Sequence, residues 1–108
     1  MKVITILPGG SPEKREMICG LEELQRFVGG NIEIVPIDDT GLLAVINEEG
    51  KLIDLRATAL SPYLHDILCG PVVIVRADWG GDLLSVRDSD LPRVRRILLP
   101  CFSREVRF

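Results

Sequence analysis

The chain has 108 residues, 46% of them hydrophobic and 27% charged, which is one domain's worth of sequence and excludes a second folded domain, intrinsic disorder and a membrane-spanning architecture. The formal charge is −3, which argues against a dedicated nucleic-acid binder, because neutralising phosphates requires a net positive face.

The run Val3-Ile4-Thr5-Ile6-Leu7 is β-branched and apolar on both faces, as in an internal strand. Pro8-Gly9-Gly10 breaks it. Ser11-Pro12-Glu13 then carries a helix-start signal: a capping serine, proline at the first helical position and an acid at the positive end of the dipole. Met17, Leu21, Leu24 and Val28, flanked by Ile18 and Phe27, form one stripe and predict a helix of about 16 residues, closed by Gly29-Gly30.

Asn31 to Val35 alternates as a strand, and Pro36, which cannot donate to a ladder, marks an edge or a bulge. After the Asp38-Asp39-Thr40-Gly41 turn, Leu42 to Ile46 reads as a strand. Asn47-Glu48-Glu49-Gly50 predicts a hairpin turn returning the chain as Lys51 to Leu55. Ser61-Pro62 repeats the cap-plus-proline signal and predicts a short helix from Tyr63 to Leu68, closed by Gly70.

Pro71 to Ala77 is the most continuously apolar segment and reads as a central strand. Trp79-Gly80-Gly81-Asp82 turns it into a strand at Leu83 to Val86. A last helix is expected from Ser89 to Leu98, stopped by Pro100, with a tail whose Val106 and Phe108 could dock on the body of the protein or on a partner. The expected fold is α+β: a mostly antiparallel five- or six-stranded sheet with one long helix packed on it, a short helix and a C-terminal helix, all in a single domain spanning residues 1–108. Two strands apolar on both faces need cover on both sides of the sheet. The last helix or a second subunit must supply the second cover, and a homo-oligomer, a dimer, is the expectation.

Chemistry is sparse. Cys19, Cys69 and Cys101 have no paired spacing, and His65 is the one histidine, so no metal site is expected. Three reduced thiols, no signal-peptide pattern and no apolar run near 18 residues point to a cytoplasmic protein without a membrane role. Asp38-Asp39 and Glu48-Glu49 are solvated turn acids on the ordinary reading. His65 and Asp66 are sequence neighbours that point apart on a helix, while Ser61 or Ser85 could offer a hydroxyl. No catalytic residue and no cofactor is assigned.

Charge is distributed unevenly. Residues 1–86 carry 7 Lys/Arg against 13 Asp/Glu, whereas residues 87–108 carry 6 Arg against 3 acids. Arg93, Arg95 and Arg96 on the last helix form a solvated face or, alternatively, an anion site. Gly9-Gly10-Ser11, between a strand and an expected helix N-terminus, is either a plain turn or an anion cradle. It lacks the lysine and hydroxyl of a nucleotide-hydrolysing P-loop. Trp79 in its Gly-Gly turn either covers a hydrophobic edge or stands exposed as an anchor or a base-stacking surface. Arg56, Thr58 and Arg76 complete the expected ligand-binding set of Gly9, Gly10, Ser11, Arg56, Thr58, Arg76 and Trp79.

With the helix stripe, the segments Val28-Gly29-Gly30-Asn31-Ile32-Glu33-Ile34-Val35-Pro36 and Asn47-Glu48-Glu49-Gly50-Lys51-Leu52 resemble a family known only as domain of unknown function 3846. The resemblance runs from the Pro8-Gly9 turn to Gly70 and the Ser85 strand end. Where such sequences tend to continue past Lys51-Leu52 with a leucine-proline-x-asparagine element, this chain reads Leu55-Arg56-Ala57-Thr58-Ala59. The resemblance implies a phage or mobile-element setting in a bacterial host and no established activity. In that setting the expected function is non-enzymatic capture of a small phosphorylated or nucleotide-derived signal to counter host defence. The alternative is a protein-binding inhibitor or regulator of a host protein, and a hydrolase or transferase is the third class. Nucleic acid is not expected as a partner.

Overall fold

The computed structural model describes residues 1–101. Eleven elements follow in chain order: β1 (Lys2–Ile6), β2 (Glu13–Glu16), α1 (Leu21–Val28), β3 (Ile32–Pro36), β4 (Leu42–Asn47), β5 (Ala57–Ser61), β6 (Asp66–Cys69), β7 (Val72–Ala77), β8 (Leu83–Leu84), α2 (Asp90–Ile97) and β9 (Leu99–Pro100). The fold is α+β. A six-stranded sheet runs β2-β1-β7-β4-β3 with β8 beside β7, and a three-stranded sheet runs β6-β5-β9. Every described pairing is antiparallel.

The apolar run of β7 lies in the middle of the large sheet, with Ile74 opposite Ile4 on one side and Ala44 on the other. Alternation along the strands splits the core in two. Ile4, Ile6, Leu42, Ala44, Val72 and Ile74 face the small sheet and α2, meeting Ala59, Leu68, Val94 and Leu98. Val3, Val45, Val73 and Val75 face the other way and pack against Leu24 of α1 and the half-buried Met17 and Phe27. Both faces of the sheet are therefore covered from within the chain, the first by α2 and the small sheet and the second by α1. No helix among the described residues is long and apolar enough to cross a membrane.

The expected long helix is shorter than its stripe. Residues 13–16 form β2, which pairs Thr5 with Glu13 through Lys2 with Glu16, and the helix begins only at Leu21, after Gly20 in an extended conformation. Each β2 side chain from Lys14 to Glu16 finds a partner: Lys14 bonds Asp88, Arg15 lies 5.9 Å from the Phe27 ring centroid, and Glu16 takes the N-terminal ammonium at 3.3 Å. Glycine disfavours a helix interior by about 1 kcal/mol, and β1 offered a free edge. At its other end α1 stops at Gly29, whose φ of 83° is the left-handed cap. Pro36 sits in β3 at the sheet edge.

Two further expectations are corrected. Lys51 to Leu55 forms no strand, because β4 already has β3 and β7 on its two sides and leaves no edge for a hairpin partner. The segment instead coils in successive turns, with Ile53 N–H donating to Glu49 and Leu55 N–H to Gly50. The short helix at Tyr63 to Leu68 is likewise absent: Ser61 Oγ accepts from Leu64 N–H at 3.3 Å, so the serine caps a tight turn between β5 and β6. That turn closes with His65 at φ 52°. The last helix, α2, is followed by β9, which pairs with β5. Val106 and Phe108, expected to dock, lie outside the described residues.

Candidate functional site

Arg76 is the one charged residue in the otherwise apolar β7 strand, and it faces the core lined by Ile74 and Leu42. A guanidinium there needs partners, since a buried unpaired charge costs several kcal/mol. It has them: Nε and Nη2 donate to the two carboxylate oxygens of Asp90, each at 2.7 Å, and Nη1 donates to the Thr40 carbonyl at 2.9 Å. Asp90 opens α2 and also accepts from Arg87 N–H. Burial works to raise the Asp90 pKa, but the hydrogen bonds from Arg76 and from the Arg87 backbone outweigh it, and the carboxyl is held below its ordinary value. The hydrogen bond to Asp90 likewise raises Arg76.

The neighbouring turn is fixed in the same way. Asp38 accepts from Thr40 N–H and Oγ1, from Leu42 N–H and from Arg93 Nε. Burial works to raise its pKa, and these bonds together carry it below the usual carboxylate range. The turn from Asp38 to Gly41 is thus clamped from beneath by two arginines.

Beyond this clamp opens a cleft of about 480 Å³ lined by Asp39, Thr40, Arg76, Trp79, Leu84 and Arg87, among others. Trp79 is fully exposed at 107% relative accessibility and Leu84 is 44% exposed. The turn that carries the tryptophan is ordered by Asp78, whose Oδ1 accepts from Gly80 and Asp82 N–H, each at 2.9 Å. The Arg87 guanidinium is exposed and enters no hydrogen bond or ion pair among the described residues, although its charge acts on Asp90. The cleft therefore offers a bare aromatic face, a charged donor and an apolar flank.

Of the residues singled out from sequence, the fold brings Arg76 and Trp79 together here. Gly9 and Arg56 meet elsewhere: a Cβ on Gly9 would lie 2.9 Å from Arg56 Nη2. The Gly9-Gly10-Ser11 cradle loses its helix, because the turn connects β1 to β2, and Gly10 N–H donates to the Leu7 carbonyl at 2.8 Å. Thr58 is buried, with its hydroxyl donating to the Gly70 carbonyl. Arg93 serves Asp38, while Arg95 and Arg96 are exposed. Ser85 Oγ accepts from Lys2 N–H, and no group of three His, Cys, Asp or Glu side chains among the described residues could hold a metal. Burial raises the Cys19 and Cys69 thiols.

Asp39, Leu84 and Arg87 were missed as neighbours of Trp79. One signal for the clamp was present: an arginine closing an all-apolar strand demands a buried acid, and Asp90 is the one the fold supplies.

No curated protein and no solved structure matches the chain. The sequence model of one family, a domain of unknown function (DUF3846), matches residues 1–98, nearly the whole of the described fold, and on that match the chain belongs to this family.

Proposed function

We propose that this is a non-enzymatic binding protein that captures a small phosphorylated, nucleotide-derived molecule at the Trp79 cleft, withholding it from a host pathway. The observation that carries this reading is the fully exposed Trp79 ring beside Arg87. Leaving such a ring in water forgoes about 1.5–3 kcal/mol of burial, which a stacked base recovers at about 1–3 kcal/mol per base. A guanidinium adds charge-assisted bonds of about 1.5–3 kcal/mol each. The counter-defence role draws on the phage setting implied by the resemblance.

The test is a thermal-shift screen against mono- and dinucleotides. A ligand held at a hundred times its Kd stabilises the fold by about 2.7 kcal/mol, and Trp79→Ala is expected to abolish the shift. No shift with any nucleotide rejects the reading. The exposed Leu84 beside Trp79 favours a second reading, inhibition of a host protein, since tryptophan and arginine are the residue types that anchor protein interfaces. Trp79 is the sole tryptophan, so its fluorescence separates the two. A stacked base quenches it, whereas a protein interface shifts its emission to the blue.

A further inference from the structure

On the other side of the Asp38–Gly41 turn lies a second cleft, of about 430 Å³, lined by Ile37, Asp39, Tyr63, Arg93 and Arg96, among others. Asp39 lines both clefts, so they meet at this turn. They share a composition. The second cleft has its own exposed aromatic, Tyr63 at 52%, and its own exposed arginine, Arg96, which enters no hydrogen bond or ion pair among the described residues. The turn between them is held by Asp38, which accepts from Arg93, and by the Thr40 carbonyl, which accepts from Arg76, so the wall the two clefts share is fixed by the fold and not by the ligand.

Each cleft is of a size to take one base with its sugar. Charge narrows the ligand further: Arg87 lines the first cleft together with Asp39 and Asp78, and Arg96 lines the second together with Asp39. A group of high negative charge, such as a triphosphate, is repelled by those acids, while a phosphodiester brings a single charge. Asp39 at the junction is placed to accept from a ribose hydroxyl or a base N–H.

Resting on the nucleotide-binding reading above, we infer that the Trp79 and Tyr63 clefts are two subsites of one strip whose ligand is a dinucleotide, one base on each ring and the phosphodiester between Arg87 and Arg96. Adjoining clefts favour a two-base ligand because the second contact is then intramolecular.

The experiment titrates the intact protein calorimetrically with the dinucleoside monophosphates of adenosine and guanosine, and separately with AMP and GMP. The dinucleotide is expected to bind at least about tenfold more tightly than its mononucleotide. Tyr63→Ala and Arg96→Ala should remove that advantage while leaving mononucleotide affinity unchanged, and Tyr63→Phe, which keeps the ring, should retain it. Trp79→Ala should weaken both ligands. All three substituted positions are at the surface, and melting temperatures equal to the parent's confirm folding. Equal affinity for mono- and dinucleotides, or an undiminished advantage in both Tyr63→Ala and Arg96→Ala, overturns the second subsite and leaves the Trp79 reading standing. Binding of neither probe overturns that reading and this inference with it.

Discussion

Arg76 and Asp90 are joined by two parallel hydrogen bonds of 2.7 Å, with 9% and 2% of their side chains exposed. The pair ties the central strand to the first turn of α2, and through Nη1 of Arg76 to the turn that borders both clefts. Its role is positional: it places Arg87 and the Asp38–Gly41 turn, and most of the Arg76 donor capacity is engaged in doing so.

Arg76→Ala is therefore expected to destabilise the fold by about 3–5 kcal/mol, because Asp90 is left buried and uncompensated. The double variant Arg76→Met/Asp90→Leu should recover much of that loss. Urea denaturation checks it, and a double variant as unstable as the sum of the two single ones would show that the ion pair is not the cause.

The same network sets an acid limit. Asp38 and Asp90 both have pKa values lowered from an ordinary 3.8. The unfolded chain thus takes up protons before the native state does. Their stabilisation is fully present above the unfolded value and is lost as pH falls through about 4 toward the lowered native values. Unfolding free energy should decline with acid over that range, and Asp38→Asn should flatten the slope.

Trp79→Ala should leave stability within about 0.5 kcal/mol of the parent, since the ring is exposed and buries nothing. Chemical denaturation tests this. A large loss would mean that the ring covers part of the core.

Gly9 and Gly29 both adopt positive φ, 79° and 83°, but a Cβ on Gly29 meets open space while one on Gly9 meets the end of the Arg56 side chain. Alanine at either position should cost about 1–2 kcal/mol from backbone strain. The Gly9 loss should be the larger of the two, because there the Arg56 guanidinium must also be displaced. Thermal melts of the two variants provide the comparison.

A nucleotide bound by this protein should be recovered intact when the complex is denatured. Ser61 and Ser85 hydroxyls accept backbone N–H groups, from Leu64 and Lys2, and His65 stands exposed on a β-turn. Chromatography showing a cleaved ligand would reject the non-enzymatic reading, and His65→Ala would be the first variant to make.

What the residues announced by themselves was the content of the interior. The apolar runs of β1 and β7, the alternation of β3, the proline at the edge and the glycine cap of α1 are local signals, each dictated by side-chain sterics within a few positions. Pairing is different, because an edge is available or not according to what the rest of the chain has already filled. Lys51 to Leu55 had the pattern of a strand and no free partner, whereas Glu13–Glu16 had a helical stripe around it and a vacant edge beside β1. The candidate site divides along the same line. Trp79 in its Gly-Gly turn stood out as an unusual residue in the sequence, and Leu84 and Arg87 follow it closely along the chain, but the approach of Asp39 and the removal of Gly9 and Arg56 to another part of the surface were decided by tertiary structure, since only the pairing of β4 with β7 brings the distant Asp39 turn beside Trp79.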